Sequence, residues 1–278
     1  MSTPEQHRHD AGEPRHARRP GRAAPITASI VLALAALTAG TALAFRTLED
    51  TPTPATTTPP AGPTNTAPAP STAPTTGPAP ATYPADGPGT YTTIGDTGPV
   101  RGTTGTLLRY HIAIENGLTQ PDPTTIATLI DNTYNDPRGW TSAGAWRFQR
   151  VTATQPADMT IYLVTPGTRA KLCGDPTDRY TNCRTGDKII LNIARWTRSV
   201  PDYGAPLDTY RQYALNHETG HRLGYDHELC PATGNAAPVM QQQTLGLHGC
   251  AASAWPYPVK GIRNAGNPGQ YPDPIPTD

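Results

Sequence analysis

Residues 217–227 read His-Glu-Thr-Gly-His-Arg-Leu-Gly-Tyr-Asp-His, and no other stretch constrains the fold as tightly. His217 and His221 are four apart, so a helix carries them one turn above the other on a single face. Two imidazoles so placed can hold one Zn2+ at about 2.0–2.1 Å each. The same face offers no third ligand without a longer straight helix. Gly224 removes the difficulty, because glycine accepts a positive φ, ends the helix and reverses the chain. That reversal returns His227 to the metal. Glu218 adjoins the first ligand and is not needed for coordination; it stands where a base takes a proton from metal-held water. Three protein ligands leave a fourth position open, which is the arrangement of a catalytic zinc.

Average residue usage produces this five-position pattern by chance in roughly one chain per hundred thousand of this size, so coincidence is the weaker explanation. The rival explanation is a surface helix with incidental histidines. Against it, Tyr210, Ala214, His217 and His221 share one helical stripe, so the rings continue an inward, apolar face. Polar rings on a buried face need partners, and a metal supplies them.

The stretch resembles the signature of the metzincin clan of zinc endopeptidases, including Gly220 before the second histidine and Leu223 before the turn. The clan places a methionine in a tight turn beneath the metal, and Pro238-Val239-Met240 matches it. The resemblance implies a fold, namely an α+β domain with an α/β-like N-terminal subdomain. Its twisted mixed sheet would carry a backing helix and an active-site helix, followed by the Met-turn and a small irregular C-terminal subdomain. From about Tyr83 to Pro258 the chain also looks like a family of secreted proteins of high-GC Gram-positive bacteria, classed as zinc-peptidase-like. That likeness runs through HETGHRLG, APVMQQQT and a closing Gly-Cys with Trp255-Pro256. One branch of the clan, the astacins, shares a glutamate after the third histidine, here Glu228, and puts a ligating tyrosine two residues after the methionine. Gln242 stands there instead.

The rest of the chain divides by composition. Residues 1–24 are polar and rich in arginine, with His7, His9 and His16, and are expected to be a disordered cytoplasmic tail. Residues 25–46 include an uncharged run long enough to cross a bilayer as a helix, and the preceding arginines keep the N-terminus inside. Its length favours an uncleaved transmembrane signal-anchor; the alternative is a signal peptide cut after Ala42-Leu43-Ala44. Both put the rest of the chain outside the cytoplasm, either on the cell membrane or secreted. Residues 47–82 are dominated by proline, threonine and alanine and form a stiff linker without a core. The folded domain is expected at 83–265, with a proline-rich, disordered tail at 266–278.

Within the domain, strands are expected at 90–94, 107–115, 146–151, 159–164 and 188–193 from alternation and β-branched content. Asp122-Pro123 caps a helix carrying Ile126, Leu129, Ile130, Thr133 and Tyr134 at helical spacing. The zinc helix starts near 206–208. Either 188–193 or a neighbour is the sheet edge. Cys173, Cys183, Cys230 and Cys250 are the only cysteines, and an even number in an exported chain reads as disulfides. Three pairings are open; proximity favours Cys173–Cys183 and Cys230–Cys250. Gln241, Gln242 and Gln243 either line the pocket or, the favoured reading, bond loop backbone. His248 is either a polar group near the transition state or, the favoured reading, a solvated loop residue, and His111 is expected to be ordinary sheet structure.

Zero net charge without a basic cluster in the domain gives nucleic acid no electrostatic footing. The reading is an extracytoplasmic, monomeric zinc metallopeptidase. His217, His221 and His227 hold Zn2+, Glu218 is the general base, Met240 lies beneath the metal, and the substrate is a protein or peptide. The alternatives are a non-catalytic zinc-stabilised surface domain and a zinc amidase acting on cell-wall crosslinks.

Overall fold

The computed structural model describes residues 82–277; the expected tail, membrane segment and linker up to residue 81 lie outside them. The described chain is α+β, with one six-stranded mixed sheet. Its elements run β1 (Tyr91–Ile94), β2 (Thr106–Glu115), α1 (Pro123–Asn135), β3 (Trp146–Arg150), β4 (Met159–Val164), α2 (Pro166–Cys173), β5 (Cys183–Thr185), β6 (Lys188–Asn192), α3 (Ile193–Arg198) and α4 (Leu207–Arg222). Among the described residues no helix is long and apolar enough to cross a membrane.

The sheet order is β1-β2-β4-β6-β5, with β3 also paired to β2. β2, β4 and β6 run parallel, as does β3, while β1 and β5 are antiparallel to their neighbours. Buried parallel strands read as continuous apolar runs, and β4 and β6 (MTIYLV and KIILN) fit that description. Leu108, Tyr110, Ile112 and Ile114 of β2 are buried together with Ile126, Ile130 and Tyr134 of α1 and Tyr210 and Ala214 of α4 in one core. The helices are joined by polar contacts as well. Tyr134 Oη lies 2.9 Å from Thr219 Oγ1, and Trp140 Nε1 donates to Asn216 O at 2.9 Å.

All five expected strands and both expected helices are present, within two residues at each end. The edge is now assigned: it is β5, and β6 is its inner neighbour. α2, β5 and α3 were not expected, since each spans eight residues or fewer, too short for a periodicity to stand out. α2 does carry local signals. Thr165 caps it through Thr168 N, Pro166 opens it, and Gly174 closes it in the left-handed region at φ 73°.

Residues 266–277 belong to the segment expected to be a disordered tail. They run against the loop that follows α4, where Leu229 N donates to Asn267 O at 2.8 Å and Gly269 N to His227 O at 3.0 Å. The proline content suggested a chain unable to form a core; it does not prevent a chain from docking on a core built by others.

Candidate metal centre

α4 builds the site at its C-terminal end. Its last turn closes with Tyr225 N donating to Gly220 O at 3.0 Å and Gly224 N to His221 O at 3.2 Å, the pair of bonds that defines a Schellman stop. Gly224 sits at φ 94°, which an L side chain adopts only with strain, so the glycine of the motif is required by the reversal. The reversed chain brings His227 back over the helix end. His221 Nε2 lies 3.2 Å from His217 Nε2 and 3.1 Å from His227 Nε2, and all three ligand atoms fall within 4.8 Å of one another.

The outer nitrogens fix the protons. His217 Nδ1 donates to Val239 O at 2.8 Å, His221 Nδ1 to Tyr225 O at 2.8 Å, and His227 Nδ1 to Gln270 Oε1 at 3.0 Å. Each ring therefore carries its proton on Nδ1 and presents a bare Nε2 lone pair to the other two. Three lone pairs facing one another at such distances repel; a cation among them turns the repulsion into ligation. Tetrahedral zinc with Zn–N of 2.0–2.1 Å sets its nitrogens about 3.3 Å apart, and the two spacings from His221 fit. Burial, followed by repulsion from the other rings, holds His217 well below the usual histidine range and His221 down to about 4. Burial also lowers His227, against the Gln270 bond and the Asp226 charge. The rings stay neutral, as metal ligands must.

Glu218 is buried on the same helix, and burial pushes its carboxyl up to about 8 while the Arg169 and Arg184 guanidiniums pull the other way. Its oxygens accept no hydrogen bond from any described residue. Glu218 and the three histidines line a cavity of about 590 Å³, walled by β5 through Arg184 and by Gln242. Arg184 is pinned beside the ligands, with Nη2 donating to His221 O at 2.9 Å. Arg169, on α2, is buried against Asp178 and also donates to Asp178 O and Thr181 Oγ1.

The residues beneath the triad come from the loop after α4. Met240 is fully buried, and the residue before it supplies the carbonyl that orients His217. Gln241 and Gln243 follow the backbone-bonding reading: Gln241 Nε2 donates to Gly246 O and Leu247 O, and Gln243 Nε2 to Pro238 O and Ser253 O. Gln242 instead faces the cavity. Disulfides join Cys173 to Cys183 and Cys230 to Cys250. The first ties α2 to the start of β5; the second ties the third-ligand loop to the segment after Met240. Glu228 pairs with Arg263 at 2.6 Å. His111 Nε2 faces the carbonyls of Thr152 and Gln155, away from the centre.

Gln270 was not singled out from the sequence, although it orients His227. No local signal marks it, because its partner lies 43 residues away and its own segment is proline-rich. His248 is exposed, yet it is not merely solvated: Nε2 contacts Asp273 Oδ2 at 2.7 Å and the ring stacks on Tyr271.

Residues 77–272 match a family described as "Protein of unknown function (DUF3152)". No curated protein and no solved structure matches the chain.

Proposed function

Starting from a chain that belongs to the DUF3152 family, whose description assigns no activity, we propose that it is a zinc-dependent peptidase of metzincin type, acting outside the cytoplasm. The observation that carries the reading is the convergence of three bare Nε2 lone pairs, two of them 3.1–3.2 Å from that of His221 and all within 4.8 Å of one another, beside a buried carboxyl that accepts no hydrogen bond from any described residue. A structural zinc site has no use for such a carboxyl. The order of elements supports the fold assignment: parallel strands with a backing helix, a ligand helix, a glycine-enabled return, then a buried methionine.

A zinc ion held by His217, His221 and His227 would supply Lewis acidity, lowering the pKa of water toward neutral pH and polarising a peptide carbonyl. Val239 O, Tyr225 O and Gln270 Oε1 keep the three rings in the ligating tautomer and orientation. Glu218, adjoining the first ligand, accepts a proton from the attacking water as the C–O bond forms. It then gives that proton to the leaving nitrogen as the C–N bond breaks. The exposed edge of β5 offers unpaired backbone groups to an extended substrate strand.

Glu218→Gln tests the assignment. Zinc content should stay at one ion per chain while cleavage of unfolded protein falls by about 10²–10⁴-fold, the usual worth of a general base. Activity within tenfold of the parent protein removes Glu218 from the role. A parent protein that holds zinc fully and cleaves neither unfolded protein, a peptide library nor purified cell wall is a binding domain instead.

A further inference from the structure

Part of the cleft is lined by the chain's own C-terminal segment, of which the chemistry above uses only Gln270. The segment is fixed at its start by the backbone bonds from Leu229 to Asn267 and from Gly269 to His227, and by the Gln270 contact to His227. Beyond Gln270 the Tyr271 ring stacks on His248 with centroids 3.5 Å apart, and Asp273 takes the 2.7 Å contact from His248 Nε2. Asp273 and Ile275 then line the same cavity as His217 and Glu218. Pro276 and Thr277 line a second cavity together with Val200 and Pro201, which precede the first turn of α4. An extended run from 270 to 277 reaches up to about 26 Å, comparable to the roughly 24 Å of a helix the length of α4. The segment thus travels from the third ligand back toward the start of the ligand helix, along the cleft.

Its chemistry suits a cover that is not itself cut. Pro272, Pro274 and Pro276 alternate, so those positions have no N–H with which to pair to a sheet edge. The prolines also restrict the free chain, which lowers the entropic cost of laying it down. The hold past Gln270 is light. Among the described residues no backbone hydrogen bond fixes 271–277, the His248–Asp273 pair is partly exposed, and Ile275 is 40% exposed.

We propose that residues 271–277 are a built-in strap over the substrate cleft, which a substrate must displace, or a second event must remove, before the site can act. The proposal rests on the peptidase reading for what the cleft receives, but its test does not depend on turnover. A stop after Tyr271 deletes the strap from Pro272 onward while keeping Gln270 on His227; Asp273→Asn weakens the strap without shortening the chain. Binding of a tripeptide hydroxamate is measured on the zinc-loaded full chain and on both variants, together with cleavage of unfolded protein. The shortened form should bind the probe at least tenfold more tightly than the full chain, and Asp273→Asn about threefold more tightly. kcat/KM should rise in step. Equal or weaker binding in both variants overturns the strap, and so does a probe that binds none of the three. Tighter binding with no cleavage by any form leaves the strap standing and removes the peptidase reading alone.

Discussion

Gly220 has no room for a side chain. A Cβ there would lie 2.3 Å from Met240 Sδ and 2.8 Å from Trp140 Cζ2, so the thioether and the indole are packed directly against the helix between the first two ligands. The carbonyl that orients His217 belongs to Val239, next to that methionine. Gly220→Ala is therefore expected to push Met240 away and cost about 1–3 kcal/mol in overpacking, of which better helix propensity returns up to about 1 kcal/mol. Weaker zinc binding should accompany the loss of stability, because the displaced turn carries Val239 O. Urea unfolding and a zinc titration check both; unchanged zinc affinity would separate the methionine from the ligand geometry. At this scale much was legible. The gathering of the three histidines, the place of Glu218 beside the first of them and the turn glycine follow from spacing and from what each residue type can do. The three glutamines did not separate in sequence, since which of them faces the cavity depends on a turn whose shape is set by distant carbonyls.

Elements of ordinary length were readable because their side-chain period repeats often enough to be seen. β2, β4, β6, α1 and α4 are of this kind. β5 is three residues long and owes its existence to pairing with β6 and to the disulfide at Cys183. That bond closes a loop of separation 10 onto α2, and α2 also places Arg169 in the cleft wall. Replacing Cys173 and Cys183 together by serine should lower stability by about 3 kcal/mol on the loop-entropy estimate. The edge strand then loses its anchor, so KM should rise several-fold with kcat nearly kept, since no group that moves a proton is touched. Denaturant midpoints and steady-state kinetics decide; a fall confined to kcat would mean that β5 positions the chemistry and not the substrate.

For the molecule as a whole, the site couples folding to pH. The three lowered histidines bind fewer protons folded than unfolded, most clearly between about 4 and the ordinary histidine value of about 6.5, so stability rises with pH across that window. Glu218 does the reverse. Its carboxyl, raised to about 8 from an ordinary value of about 4.3, carries more protons folded than unfolded, so stability falls as pH rises between those values. Three groups outweigh one up to about pH 6.5, and above it only the carboxyl remains. Metal-free protein should therefore melt highest near pH 6.5 and lower on either side, whereas zinc should add stability increasingly as the histidines lose their protons. Melting temperatures across pH 4–9, with and without zinc, check this; a metal-free curve flat from 4 to 6.5 would mean that the rings are not held neutral by the fold. The sequence alone determined that His217, His221 and His227 come together, that Glu218 shares their helix, and the reversal at Gly224, because all of these are local: spacing along one helix and one glycine suffice. The orienting carbonyl of Val239, the hold of Gln270 on His227, the edge at β5 and the course of residues 266–277 were decided only by tertiary structure. Each joins groups far apart in the chain, and no period or composition records which distant surface a segment will meet.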